Sequence, residues 1–256
     1  MDLSIIIVSH KSKKYLSSCL SSIKDNLGDV SYEIIIVDND MAISPADFSL
    51  SNISIIRNHS NSSYGEANNL GAKKAKAPIL WFLNPDTKIL TSNTKALLRL
   101  LKDDSVGIIG TKLVEESGKA QKWSAGFEIT PLGILATNLG FSKSKKIWSS
   151  EQMMKVDWVS GCSFAITKKL YEQLGGFDER FYMYFEDVDL GKRVCKIGKK
   201  VLFLPQIKVL HFGGKSFSHK SAQKKHYYAS QRKYLEKHFG KLSATCIHLI
   251  RLLFSA

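Results

Sequence analysis

Apolar and β-branched residues open the chain in short blocks: Leu3 to Val8, Glu33 to Val37, Ile53 to Ile56 and Ile79 to Leu83. Blocks of this length and composition predict strands. Between them, Tyr15 to Leu27 and Gly65 to Ala75 carry apolar residues at helical spacing. Strand and helix in alternation predict a parallel sheet with crossover helices. Ligands of such sheets collect beyond the carboxyl ends of the strands, so Ser9-His10, Asp38-Asn39-Asp40 and Asn84-Pro85-Asp86 are expected on one rim.

Further along, Thr91 to Lys102 predicts a helix capped by Thr91 or Ser92, and Val106 to Gly110 a strand. Lys112 to Ser124 alternates around the turn-like Glu116-Ser-Gly-Lys119, the pattern of a hairpin. From Phe127 to Lys155 the pattern weakens, with lysines among serines, and a mobile or substrate-shaped loop is expected. Cys162 to Thr167 reads as a strand and Lys168 to Leu174 as a helix stopped by Gly175-Gly176. Glu186 to Lys196 fits a helix whose acidic start suits the positive end of its dipole. Within it Asp189 precedes Arg193 on one face and is the structural member. Asp187 and Asp189 stand roughly 200° apart around a helix, so they cannot aim at the same substrate atom.

The 256 residues are 44% hydrophobic, enough for a full core, and no repeat or Pro- or Ser-rich linker divides them. One domain over residues 1–220 is expected, followed by a tail over 221–256. Toward and through the tail Lys215, Lys220, Lys224, Lys225, Arg232, Lys233, Lys237, Lys241 and Arg251 face a single acid, Glu236, and are interleaved with Tyr227, Tyr228, Tyr234, Leu235 and Phe239, the composition of a basic amphipathic helix. Its most apolar part, Cys246 to Phe254, is far too short to span a bilayer and carries Arg251. A net charge of +14 calls for an acidic partner: nucleic acid, an anionic membrane surface or a phosphorylated substrate. Cys19, Cys162, Cys195 and Cys246 lack metal-ligand spacing, which suits reduced thiols in the cytoplasm. The opening Met1-Asp2 runs straight into a strand pattern, without a secretory signal.

Chemistry concentrates in Phe177 to Leu190, where carboxylates sit among Phe181, Tyr182, Tyr184 and Phe185, and in His211-Phe-Gly-Gly214 after it. Aromatic surroundings make a carboxylate harder to keep ionised and so a better proton acceptor.

These residues resemble family 2 glycosyltransferases with the GT-A fold, near the rhamnosyltransferase-like branch of bacterial surface polysaccharide synthesis. The resemblance runs from Ile5-Ile-Ile-Val-Ser-His10 to His211-Phe-Gly-Gly214. It takes in Ile36-Val-Asp-Asn39, Tyr64-Gly-Glu-Ala-Asn-Asn-Leu-Gly71, Leu83-Asn-Pro-Asp-Thr87, Trp158-Val-Ser-Gly161, Gly176-Phe-Asp-Glu179 and Phe185-Glu-Asp-Val-Asp-Leu190. Each element is weak alone; their order and spacing carry the likeness. The fold it implies is an open, mostly parallel α/β sheet with helices on both faces.

The resemblance also implies roles. Ser9 and Asp38 would hold the donor base, a carboxylate being able to accept a pyrimidine ring N–H; the rival reading has Asp38 capping its own turn. Gly65, Asn69 and Gly71 would approach ribose and phosphate, or form a plain helix start. Asp86 occupies the last place of the Asp-x-Asp element and would hold Mg2+ or Mn2+ on the diphosphate, although Asn84 in the first place leaves one charge fewer. His211 would be the second metal ligand, or else a satisfied core histidine. Asp187 would be the general base, or a helix cap, with Glu186 orienting it or the acceptor. Trp158, Ser160 and Gly161 would shape the acceptor pocket, where core packing competes for Trp158. Lys215 and Ser216 would grip the diphosphate, or lie on the surface.

The reading that follows is an inverting, cation-assisted glycosyltransferase moving rhamnose from a dTDP donor to a lipid-linked saccharide, cytoplasmic and peripheral on the inner face of the cell membrane. The donor could equally be a UDP-hexose or UDP-hexosamine, since nothing in the motifs reads a sugar's hydroxyl pattern. A nucleic-acid-binding protein is favoured by net charge alone and lacks a recognition motif. An inactive scaffold sits poorly with intact Asp86, Asp187 and His211, and a nucleotidyltransferase would need a glycine-rich loop where Ser9-His-Lys-Ser12 stands.

Overall fold

The structure is a computed structural model that describes residues 1–44, 47–48, 52–59, 62–138, 144–213 and 220–254. In chain order the elements begin with β1 (Leu3–Ser9), α1 (Lys13–Asn26), β2 (Tyr32–Asp38), β3 (Ile53–Arg57), α2 (Tyr64–Lys74), β4 (Ile79–Leu83), β5 (Thr87–Thr91), α3 (Thr94–Leu100) and β6 (Val106–Val114). They continue through β7 (Ala125–Gly126), α4 (Pro131–Asn138), α5 (Lys145–Trp148), β8 (Met154–Val156), β9 (Trp158–Val159), β10 (Ser163–Thr167), α6 (Lys168–Gln173), α7 (Glu186–Lys196), β11 (Lys200–His211) and α8 (Lys220–Phe254).

The main sheet has the order β3-β2-β1-β4-β10-β6-β11-β5, with β8 on β11, and β7 pairs β9 separately. Strands β3, β2, β1 and β4 are parallel, as the alternation of strand and helix predicts. Strand β10 runs antiparallel to both β4 and β6, while β6 and β11 are parallel again. The sheet is covered on both faces. Ile5, Ile7, Ile34 and Ile36 pack with Leu16, Leu20 and Leu97 on one side. Ile6 and Ile35 pack with Ala72, Tyr171, Phe177 and Leu190 on the other. Burial on both faces explains why these strands read as continuous apolar runs rather than alternating ones.

Several expectations are corrected. Thr87 to Thr91 is a strand, and the helix after it starts later, at Thr94, with Asn93 accepting the Ala96 N–H as its cap. The strand beginning at Val106 extends to Val114. The turn at Glu115–Lys119 forms, but pairing beyond it shrinks to a single bridge between Val114 and Ala120. The segment from Phe127 to Lys155 holds α4, α5 and the start of β8.

Helix α8 is broken at Gly240, whose φ of 85° and ψ of 160° are not helical. Before the break Tyr234 and Leu235, and after it Ala244 and Ile247, join Trp158, Phe181, Phe185 and Val188 in one buried cluster. Asp189, fully buried, accepts from Arg193 Nε at 2.7 Å, from His238 Nε2 at 2.7 Å and from Lys237 Nζ at 2.5 Å, tying α8 to α7.

Candidate active site

The reversed strand β10 assembles the rim. Because it runs against β4, its amino end meets the carboxyl end of β4: Ser163 pairs with Leu83, and the Asn84 N–H donates to Cys162 O at 2.9 Å. Gly161-Cys162 therefore lies beside Asn84-Pro85-Asp86. On the other flank the end of β11 pairs His211 with Thr87, and the Phe212 N–H donates to Asp86 O at 3.0 Å.

His211 Nε2 stands 3.4 Å from Asp86 Oδ1, and its Nδ1 is 2.9 Å from Gln121 Oε1. Burial works against the protonated ring, but Cys162 and Asp86 outweigh it and raise His211 to about 11. Among the described residues no three His, Cys, Asp or Glu side chains form a cage of their own for a metal. Asp86 and His211 offer one carboxylate and, once a cation displaces the proton of Nε2, one imidazole, a set that fits a divalent cation completing its shell with diphosphate and water oxygens.

Asp187 begins α7. Its Oδ2 accepts the Gly161 N–H at 2.8 Å and its Oδ1 the Val188 N–H at 2.8 Å. It is not the helix cap, a position held by Phe185 without a side-chain bond. Burial raises its pKa against the pull of those N–H donors. The neighbouring Glu186 is more deeply buried, and its Oε2 has no hydrogen-bond partner. Burial first, and then Asp187, push it well above the usual carboxylate range. Of the two, Asp187 is the carboxylate better able to hold charge. Tyr64 closes the arrangement by donating its hydroxyl to Gly161 O at 2.7 Å.

Backbone strain gathers at the same rim. Among the described residues, the non-glycine positions with positive φ are Lys11 after β1, Met41 after β2, Trp123 after β6, and Tyr184 and Phe185 before α7. Left-handed conformations cost on the order of 1–3 kcal/mol each and persist where the surroundings over-determine them, as at functional sites.

The remaining sequence candidates divide. Asp38 is buried at the end of β2, where its Oδ2 accepts the Ile43 N–H at 3.0 Å and its Oδ1 faces the Asp40 N–H at 3.4 Å, so it does cap its own turn. Ser9, also buried, pairs its hydroxyl with that of Ser12. Gly65 packs against the loop before α7: a Cβ there would lie 3.0 Å from Phe177 Cβ. Asn69 is saturated, donating to Phe177 O and Glu179 Oε1 and accepting from Tyr171 OH and the Phe177 N–H. Both residues hold that loop in place. Trp158 is buried, donates Nε1 to Phe127 O at 2.9 Å and belongs to the cluster under α8. Gly214, Lys215 and Ser216 lie outside the described residues. Sequence reasoning passed over Gln121, Cys162 and the hydroxyl of Tyr64, none of which carries a local signal for its contact.

Comparison with known proteins gives these features a setting. A family model described as "Glycosyl transferase family 2" matches residues 4–173. The N-acetylglucosaminyl-diphospho-decaprenol L-rhamnosyltransferase of Mycobacterium tuberculosis is 46% identical over 56 residues, 22% of this chain and 18% of that protein. The rhamnosyltransferase WbbL of Escherichia coli K12 is 24% identical over 229 residues, 81% of this chain and 82% of the relative. The crystal structure of GalNAc-T7 with UDP, GalNAc and Mn2+ superposes with a TM-score of 0.62 at 18% identity, over 82% of this chain and 44% of that one. At that identity the likeness speaks for the fold alone.

Proposed function

The chain belongs to glycosyl transferase family 2, and from that premise we propose that it is an inverting glycosyltransferase moving rhamnose from a dTDP donor to a lipid-linked saccharide. The observation that supports the reading is that Asp187 holds the Gly161 N–H while the next residue, Cys162, accepts from the Asn84 N–H at the strand end that carries Asp86, itself 3.4 Å from His211. Rhamnosyl transfer and a lipid-linked acceptor are taken from the names of the two relatives, and surface polysaccharide synthesis from that of a third, the O-antigen biosynthesis protein RfbC of Myxococcus xanthus.

In this mechanism Asp187 takes the proton of an acceptor hydroxyl while that oxygen attacks the anomeric carbon from the face opposite the diphosphate, which inverts the centre. The Gly161 and Val188 N–H groups hold the carboxylate in place and favour its charged form, while neutral Glu186 beside it adds no competing charge. Asp86 and His211 would hold a divalent cation, whose chemistry is to neutralise charge on the departing nucleotide. Asp38 and Ser9 would sit under the donor base, and Gly161 beside the acceptor.

We assign residues 221–256 to attachment at the anionic inner leaflet of the cell membrane. Among the described residues no helix is long and apolar enough to cross a membrane. Past Gly240 the chain turns Ala244 and Ile247 inward and leaves Leu242, Leu249 and Leu252 exposed, as is Leu132 on α4, a helix that packs against α8. Leucines facing outward next to Lys241 suit an interfacial helix, in which nearby lysines are each worth about 1 kcal/mol at an anionic surface.

The test is a thermal-shift series with dTDP, UDP and GDP, each with and without Mn2+ or Mg2+. Stabilisation by dTDP only when a cation is present is the expected result. Stabilisation by UDP instead moves the donor, and no response to any nucleotide overturns the reading.

A further inference from the structure

Gln121 lies in the segment that follows β6. Its backbone is pinned there: the Gln121 N–H donates to Leu113 O at 2.9 Å, and Ala120 bridges Val114. Two residues on, Trp123 has a φ of 61°. From this fixed base the half-buried side chain brings its amide oxygen 2.9 Å from His211 Nδ1, across 90 positions of sequence. An amide oxygen only accepts, so the proton of this contact belongs to Nδ1. The ring is then held with Nε2 toward Asp86, at 3.4 Å from Oδ1. That separation exceeds an ordinary N–H···O bond of about 2.7–3.2 Å, so no strong direct bond closes the pair.

We propose that Gln121 is a positioning residue for the cation site: it fixes the ring orientation of His211 and so determines that Nε2 is the nitrogen presented beside Asp86. The inference rests on the cation-assisted reading above and adds to it a residue that touches neither cation nor substrate. A bond to the far nitrogen is the usual means by which a protein sets which imidazole nitrogen is free to ligate.

The experiment compares the wild type with Gln121→Leu, which removes the acceptor, and Gln121→Glu, which keeps it. Mn2+ is titrated in the presence of dTDP, without sugar or acceptor, and free Mn2+ is followed by electron paramagnetic resonance. Separately, the ring of His211 is observed by 15N NMR in the metal-free proteins. Gln121→Leu is expected to weaken Mn2+ binding roughly 10–100-fold and to lose a slowly exchanging Nδ1–H signal. Gln121→Glu keeps both close to the wild type. Wild-type Mn2+ affinity in Gln121→Leu, or equal impairment in the two variants, overturns the proposal. If the wild type itself binds no Mn2+ with any nucleoside diphosphate, the cation reading fails on its own account. The ring signal then decides the orientation claim, which falls if Nδ1–H survives unchanged in Gln121→Leu.

Discussion

The carboxylate of Asp187 rests on the backbone of Gly161, which donates its N–H to Oδ2 at 2.8 Å while its carbonyl accepts the Tyr64 hydroxyl at 2.7 Å. A Cβ at this position would stand 3.3 Å from the Tyr64 ring and 3.6 Å from the Asp187 carboxylate. The glycine thus allows a peptide unit to serve as the seat of a side chain, and it ties the first turn of α7 to the strand end that carries Asp86.

Replacing Asp187 with Asn keeps an oxygen that can accept the Gly161 N–H but removes the proton acceptor. Transfer should fall by about 10²–10⁴-fold, the usual worth of a general base. Nucleotide affinity, measured by calorimetry with dTDP and Mn2+, should stay as in the wild type. A fully active variant moves the role to another carboxylate.

Glu186 has its pKa raised by burial and by Asp187, so the folded state favours its protonated form. The sign follows: its contribution to stability is full below the unfolded value of 4.5 and is lost as pH rises toward the folded value. Glu186→Gln should therefore melt above the wild type at pH 8, and the gap should close at pH 4. Scanning calorimetry across that range checks it, and a constant difference would rule the assignment out.

Asp189 draws Arg193, Lys237 and His238 onto one buried carboxylate. Burial would raise its pKa, yet these partners hold it below 3.8, so its stabilisation is lost as pH falls. Asp189→Ala takes the buried carboxylate from Arg193 Nε and His238 and leaves Lys237 with Asp178 alone, at a cost of about 3–5 kcal/mol. The melting temperature should drop on the order of 10 °C. Proteolysis of α8 should accelerate with it, since the same contacts hold the two helices together.

The exposed leucines give a separable prediction. Changing Leu242 and Leu249 to Ser should abolish flotation with liposomes containing anionic lipid, with little change in the melting temperature, because both residues are mostly exposed. Flotation equal to that of the wild type would remove the tail from membrane attachment.

The parallel half of the sheet was legible because β1, β2 and β4 hold apolar runs buried on both faces, while the half-buried edge strand β3 still carries three isoleucines. Strand β5 was not, since Thr91 and Ser92 look like a cap while the residue that caps is Asn93. Helix α4 also escaped, its Pro131-Leu-Gly-Ile-Leu-Ala carrying no polar face to reveal a period. At the candidate site, Asp86, Asp187 and His211 stand out in the sequence by their motifs, and the fold brings Asp86 and His211 within 3.4 Å. Their partners were not: whether Gln121 meets His211, or Asn69 folds inward onto Phe177 and Glu179, depends on tertiary contacts that no local pattern encodes.

One reversed strand separates the two sides of this centre. The first, around Asp38 and Asp86, is built from chain leaving parallel strands, where each loop must still deliver the next helix or strand. The second, Gly161-Cys162, is built from chain about to enter β10, reached through the short ribbon of β7 and β9 upstream. Changes along that approach can reshape the Gly161-Cys162 side while the loops after the parallel strands keep their form, so variation among such chains has a physical seam to follow.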